Sequence, residues 1–355
     1  MKALVYHGNK DLRVEDVPEP SPAPGQVKLR VDYCGICATD VEEYLYGPVF
    51  IFGDTPNPIT GKKMPVITGH EVTGTVVELG GGVSNLRVGQ RAVLYGVLTC
   101  GVCWWCTHGQ NHQCPSMAAV GFGIDGGLAE YLVWPASQVI PLPSNVTSEQ
   151  AALVEPGSVA LHAVRRGRIQ RGECVAVLGV GTVGILAMQA AKARGARVYA
   201  VDRRQMSLDL AKRLGADAVI NSESADAARA LLELTDGVGP DVVIDAAGGR
   251  DTPRLAIQWA RRGGRVVLVA IYTAVTEVDF TTVVAAETEI LGSIAYQQSD
   301  VEEVVRLVAS GALQTAPLIS DRIPLEDVVD RGFARMMSPA KDVFRILVAP
   351  SMSKR

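Results

Sequence analysis

The sequence predicts an α/β protein of two domains, the second built on a doubly wound parallel sheet. Three observations predict it. A chain of 355 residues is longer than one hydrophobic core usually serves. Its middle alternates strand-like and helix-like segments, and a glycine triad lies between the first of those strands and its helix. Composition agrees, since 48% hydrophobic residues with 36 glycines and few aromatics suit packed α/β layers.

Taken in order, the first ~150 residues read as β-rich, with alternating runs such as QVKLRVDY and HEVTGTVVELG punctuated by Gly, Pro and Asn. At PLPSNVTSEQAALVEP a Pro-rich link meets Thr147 and Ser148 as candidate helix caps, with Glu149 in the first turn. This predicts a first domain over residues 1–150 and a second over 151–290. The second contains the strands CVAVLGVG, RVYAVD, DAVIN, DVVIDAAG and RVVLVAI, separated by helical or turn-rich sequence, the rhythm of a parallel sheet. After EILGSIAY come an amphipathic helix, DVEEVVRLVASG, whose apolar stripe reads as core, and a strand, FRILVAP. Residues 291–355 are therefore expected to return to the first domain.

Charge narrows the function. A net charge of -4, from 34 basic and 38 acidic residues without long runs of one sign, gives no footprint for nucleic acid or an anionic membrane. A small-molecule substrate is expected instead. The start MKALVYHGNKDLRVE lacks the apolar core of a signal peptide, and the longest apolar run, around Val266–Ile271, falls far short of the roughly 20 residues needed to span a bilayer. The expectation is a soluble cytoplasmic protein. In that reducing compartment seven cysteines, four of them bunched, point to thiolate chemistry rather than disulfides. Cys34 and Cys174 read as small buried residues.

The triad Gly179-Val180-Gly181-Thr182-Val183-Gly184 follows the apolar strand CVAVL and opens the helix TVGILAMQAAKA. Gly179 permits the tight turn, Gly181 lets backbone N–H groups approach a pyrophosphate at the helix N-terminus, and Gly184 allows close helix–sheet packing. Asp202, ending the second strand, stands where a carboxylate would bind the adenosine ribose hydroxyls and repel a 2′-phosphate. This predicts NAD rather than NADP, although Arg203 and Arg204 beside it could attract a phosphate.

Two metal constellations are legible. Cys100, Cys103, Cys106 and Cys114 are spaced C-x2-C-x2-C-x7-C, a pattern that wraps a closed, all-thiolate tetrahedral zinc site with a structural role. His108 and His112 lie in the same loop and could replace a thiolate, but four cysteines make that unnecessary. The second set is scattered: Cys37 in CGICATD, His70 in TGHEVTG and Glu155 in LVEPGS. One thiolate, one imidazole and one carboxylate would leave a fourth zinc position open for water or an alcohol.

The string Gly69-His70-Glu71-Val72-Thr73-Gly74, followed by Gly80 and Val83, fits the pattern GHExxGxxxxxGxxV, and CGICATD, the Cys100–Cys114 stretch and GVGTVG occur in the matching order. On these motifs, which cover nearly the whole chain, the sequence resembles the zinc-containing alcohol dehydrogenases of the medium-chain dehydrogenase/reductase superfamily. EYLYGPVFIFGDTPNPITGKKMPVITGHE, LVEPGSVALHAV and LGSIAYQQSD resemble its polyol branch.

The resemblance implies an N-terminal GroES-like distorted β-barrel carrying the catalytic groups and a Rossmann domain, with the active site in the cleft between them. It implies two zinc ions per chain, one catalytic and one structural. Cys37 and His70 become catalytic-zinc ligands, and the third is Glu71 or Glu155. In the family the glutamate after the histidine binds the metal or sits behind it. Consecutive side chains of a regular strand point to opposite faces, however, which makes His70 and Glu71 awkward partners. Asp40 would accept from a histidine ligand and fix its tautomer. Thr39 matches the hydroxyl that takes the alcohol proton, and Glu42 stands where many relatives carry the next relay histidine. Arg345 resembles an arginine used against the cofactor pyrophosphate. The implied reaction interconverts a secondary alcohol and its ketone by hydride transfer, with zinc acting as a Lewis acid and a vicinal diol such as 2,3-butanediol as substrate. A hexitol such as sorbitol, or L-threonine, is the alternative substrate, and a non-catalytic cofactor-binding or structural protein on the same scaffold is the alternative from another class. Assembly as a homo-tetramer or homo-dimer is expected.

Overall fold

The computed structural model describes residues 1–351 apart from 273, 339 and 341. Among these residues the chain forms two compact units. One comprises Met1–Glu155, Gln297–Ala309 and the described residues from Thr315 onward; the other comprises Pro156–Tyr296 with Ser310–Gln314.

The first unit opens with β1 (Lys2–Gly8), β2 (Asp11–Asp16), β3 (Gln26–Ile36), helix α1 (Ala38–Tyr46), β4 (Val66–Ile67), β5 (Glu71–Leu79), β6 (Arg91–Leu94) and β7 (Val97–Leu98). A short helix α2 (Trp104–Thr107), then β8 (Ala118–Ala119), β9 (Tyr131–Pro135), β10 (Val139–Pro141) and α3 (Ser148–Ala151) complete the stretch before the second unit. Strand β3 is the spine, pairing antiparallel with β5 and β9, and the larger sheet continues from β5 through β6 to β10. Central strands are covered on both faces, so the alternation of QVKLRVDY does not survive as alternating exposure: Lys28 is buried with Val27 and Leu29. Its ammonium reaches Glu19 and Glu78, and it lies 5.1 Å over the Tyr131 ring, an apolar stem inside with its charge satisfied. Leu29, Val31, Ile36, Leu128 and Trp134 are fully buried in the same core.

The second unit begins within α4 (Val154–Arg166) and runs β11 (Cys174–Leu178), α5 (Thr182–Ala193), β12 (Arg197–Asp202), α6 (Gln205–Arg213), β13 (Ala218–Asn221), α7 (Ala227–Leu234), β14 (Val242–Asp245), α8 (Thr252–Trp259), β15 (Arg265–Leu268), α9 (Phe280–Ala286) and β16 (Glu289–Gly292). Its strands are all parallel, in the order β13-β12-β11-β14-β15-β16, and the order reverses between β11 and β14. Every residue of β11 is buried, which is why CVAVL reads as an unbroken apolar run.

The chain then returns through α10 (Gln298–Ala309), β17 (Ile319–Pro324) and β18 (Arg345–Ala349) to the first unit, where β18 pairs antiparallel with β3 and parallel with β17. Among the described residues no helix is long and apolar enough to cross a membrane.

Candidate active site

The site forms where β3 gives way to α1. Cys37 is the N-cap of α1, and its backbone N–H donates to Asp40 Oδ2 at 2.8 Å. That bond fixes the carboxylate so that Oδ1 lies 3.4 Å from His70 Nδ1. His70 itself precedes β5, and the residue before it, Gly69, has φ +94°, where a Cβ would meet Leu128 Cγ at 2.6 Å and Cys34 Sγ at 2.7 Å. Because His70 lies outside regular strand, the opposite-face rule expected for His70 and Glu71 does not govern them. Glu71 opens β5 opposite Gly35, where a Cβ would stand 2.1 Å from Glu71 Oε2, so a side chain at residue 35 would evict the carboxylate. One donor atom each from Cys37, His70 and Glu71 consequently lie within 4.8 Å of one another.

Burial and charge set the character of this cluster. Burial opposes protonation of His70, but Asp40 and then Cys37 push its pKa well above the ordinary imidazole value. Glu71 is fully buried, and that burial raises its carboxyl pKa despite Arg345, whose Nη1 is 3.1 Å away. Asp40 Oδ1, His70 Nδ1 and both Glu71 oxygens make these charge contacts without a hydrogen bond of good geometry. Thr39 Oγ1 sits 3.7 Å from Cys37 Sγ, and Glu42, farther along α1, is half-buried with its pKa raised by burial and by Glu43.

Two candidates fall elsewhere. Glu155 lies outside the three-donor group, in the first turn of α4, near enough for its charge to contribute to the raised pKa values of Arg345 and Cys34. Arg345 is buried in β18, donating to the Ile36 carbonyl at 2.6 Å and facing Glu71. The structure places it as the cation behind the cluster.

Cys100, Cys103, Cys106 and Cys114 form a second group within 4.8 Å. Cys103 and Cys106 sulfurs are 3.4 Å apart, Cys114 and Cys100 3.6 Å, and Cys100 and Cys106 4.0 Å. Backbone N–H groups of Val102 and Cys103 lower the Cys100 pKa to about 6. At Cys103 the Cys106 N–H favours thiolate, but burial and the neighbouring sulfurs outweigh it and push the value to about 11. Neither histidine of this stretch joins the group: His108 stacks on Trp104 with ring centroids 4.3 Å apart, and His112 is buried 3.4 Å from Gln297 Nε2.

In the second unit Gly179 has φ +84°, and a Cβ there would collide with Ala247 Cα at 2.6 Å. A Cβ on Gly184 would stand 1.9 Å from the Gly179 carbonyl oxygen, which is how α5 packs onto the end of β11. Gly181 is the N-cap of α5, with Thr182 buried and Val183 partly buried behind it. Asp202 accepts from the Val180 and Arg204 N–H groups, both at 2.9 Å, so its carboxylate also fastens the turn. Arg203 is exposed, whereas Arg204 lies partly buried with Nε 3.5 Å from Asp202.

Family models agree with this architecture: the alcohol dehydrogenase GroES-like domain matches residues 23–144 and zinc-binding dehydrogenase matches residues 182–310. The chain is 36% identical to (R,R)-butanediol dehydrogenase of Bacillus subtilis (strain 168), covering 99% of this chain and 100% of that one. It belongs to the zinc-containing alcohol dehydrogenase family. Within the medium-chain superfamily it is an α/β, GroES-like plus Rossmann member of the polyol branch, a zinc-type alcohol oxidoreductase. The crystal structure of 2R,3R-butanediol dehydrogenase from Bacillus subtilis superposes with a TM-score of 0.91 at 35% identity, covering 98% of this chain and 99% of that one. A zinc-binding dehydrogenase from Sinorhizobium meliloti 1021 bound to NADP gives 0.88 at 30% identity, with 98% and 99% covered.

For this family member, sequence reasoning missed the aromatic surroundings. The Phe122 ring lies 4.9 Å from the His70 ring, and Phe50 meets Phe122 edge-on at 6.0 Å. No periodicity marks either residue; the one available signal is that phenylalanine is scarce, six in the chain, and three, Phe50, Phe52 and Phe122, stand in loops flanking the histidine motif.

Proposed function

We propose that this dehydrogenase oxidises the secondary alcohol of a short vicinal diol, with 2,3-butanediol as the model substrate, using NAD. The observation that carries the reading is the three-donor group of Cys37, His70 and Glu71, with Thr39 beside it. The residues suit a zinc ion: thiolate, imidazole and carboxylate are all present, and the buried, incompletely bonded oxygens of Glu71 are groups a cation would satisfy. Asp40 faces Nδ1 of His70, which orients the ring and leaves its other nitrogen for the metal. Arg345 balances Glu71 from behind. The four clustered cysteines suit a second, structural zinc ion.

With zinc and a nicotinamide cofactor bound, the chemistry supplied is polarisation of the alcohol oxygen and acceptance of a hydride. The chain's own residues handle the proton. The Thr39 hydroxyl accepts the alcohol's proton as it gives up its own, and Glu42, three residues on along the same helix, is the titratable group assigned to receive that proton. Asp202 gives preference to NAD by repelling a 2′-phosphate, and Asp202→Ser is expected to raise the NADP-to-NAD ratio of kcat/KM by about tenfold or more.

The identity to (R,R)-butanediol dehydrogenase supports the substrate class. A panel of 2,3-butanediol stereoisomers, sorbitol, threonine and simple secondary alcohols with NAD and NADP tests it. A diol stereoisomer with NAD is expected to lead. Preference for a hexitol or threonine by about 100-fold, roughly 2.7 kcal/mol, would refute the substrate assignment. Absence of turnover on every alcohol would favour a non-catalytic role.

A further inference from the structure

Glu43 is 1% exposed, and among the described residues no ion pair to its carboxylate is formed. Its carboxylate instead accepts from three consecutive backbone N–H groups: Val49 at 3.0 Å, Phe50, and Ile51 at 3.1 Å. Such donors satisfy a buried carboxylate. Carboxylate is also the side chain suited to the place, because both its oxygens accept, Oε1 from all three N–H groups and Oε2 from Val49, whereas an amide with its oxygen at the Oε1 place would set its NH₂ against the Val49 N–H. The turn folds tightly over it, for a Cβ at Gly47 would lie 2.6 Å from Glu43 Oε2 and 2.3 Å from the Glu43 carbonyl oxygen. Ile51 is then packed with Tyr6 and Val66, and Phe122 lies against that cluster.

This fastening holds large apolar side chains where water can reach them. Val49 is 51% exposed and Phe50 38%, in a backbone segment fixed at three successive N–H groups. Apolar groups held at a surface beside a reactive cluster mark a binding surface. Phe50 touches Phe122, and Phe122 touches the ring of His70, so an aromatic wall leads outward from the three-donor group.

We propose that Glu43 is a positioning residue that sets Phe50, and that Phe50 with Phe122 forms the wall that selects the short, methyl-bearing end of the alcohol. The inference rests on the short-diol reading above and deepens it. A methyl group covers the rings favourably, whereas the hydroxyls of a hexitol would be buried against a surface offering no hydrogen bond.

The test is steady-state kinetics of the zinc-loaded enzyme on 2,3-butanediol and sorbitol. Phe50→Ala is expected to lower kcat/KM for butanediol about tenfold or more, chiefly through KM, and to change sorbitol by less than about threefold. Glu43→Gln should shift the same ratio in the same direction, less strongly, and add nothing once Phe50 is alanine. An unchanged ratio in Phe50→Ala overturns the proposal. So does a Glu43→Gln effect that is equal on both alcohols and independent of Phe50, which is the mark of a purely structural role. Should Glu43→Gln fail to fold, Phe50→Leu decides: retained apolar bulk is expected to keep the ratio within about threefold of wild type, and a loss as large as that of Phe50→Ala contradicts the wall. A wild type that prefers sorbitol defeats the substrate reading separately, before any variant is compared.

Discussion

In both donor clusters the ligand atoms lie within 4.8 Å of one another, but the two are assembled in opposite ways. The cysteine lobe draws four like ligands from one stretch of fifteen residues, and around it Val102 and Trp104 are exposed. The other cluster joins Cys37 to His70 and Glu71 through the pairing of β3 with β5, and Glu71 is wholly buried with Arg345 behind it. Four thiolates close a coordination shell, and three mixed ligands leave a place open. A local spacing is enough to hold a loop; an open, reactive site needs the long-range framework of a sheet.

Removal of one donor should therefore have different consequences on the two sides. Cys37→Ser is expected to cost several kcal/mol of transition-state stabilisation, about a thousandfold or more in kcat, with the melting temperature little changed. Asp40→Asn should lower zinc retention or activity by about 10–100-fold, since it orients His70 without being a ligand; chelator titration of activity measures this. Glu155→Gln is expected to change zinc retention by less than about tenfold, whereas Glu71→Gln should exceed that; the reverse order would assign the third ligand to Glu155. Turnover should move least in Cys103→Ser, within about threefold per folded molecule, while its melting temperature falls by about 5 °C or more in calorimetry.

Legibility in the sequence follows the same division. The Cys100–Cys114 spacing and the glycine turn at Gly179–Gly184 are local, so ligand chemistry and helix geometry could be read directly from neighbouring residues. The strands of the second unit and their parallel arrangement were readable for a similar reason, as a repeating strand–helix rhythm. The relation of Glu71 to His70 was not, because β5 begins at Glu71, one residue later than the run HEVTGTVVELG suggests, and Gly69 at φ +94° precedes a His70 that lies outside it. Arg345 pointed by resemblance to a pyrophosphate, but β18 lies against β3 and its guanidinium faces Glu71. Phe50 and Glu43 were invisible, since a carboxylate bonded to three backbone N–H groups leaves no mark in composition or period.

Zinc per chain, counted before and after dialysis against a chelator while alcohol oxidation is followed in the same sample, examines the open three-donor site itself. About two ions falling to about one, with activity lost and then restored by added zinc, is the expected result. Full activity with only the chelation-resistant ion bound would contradict it.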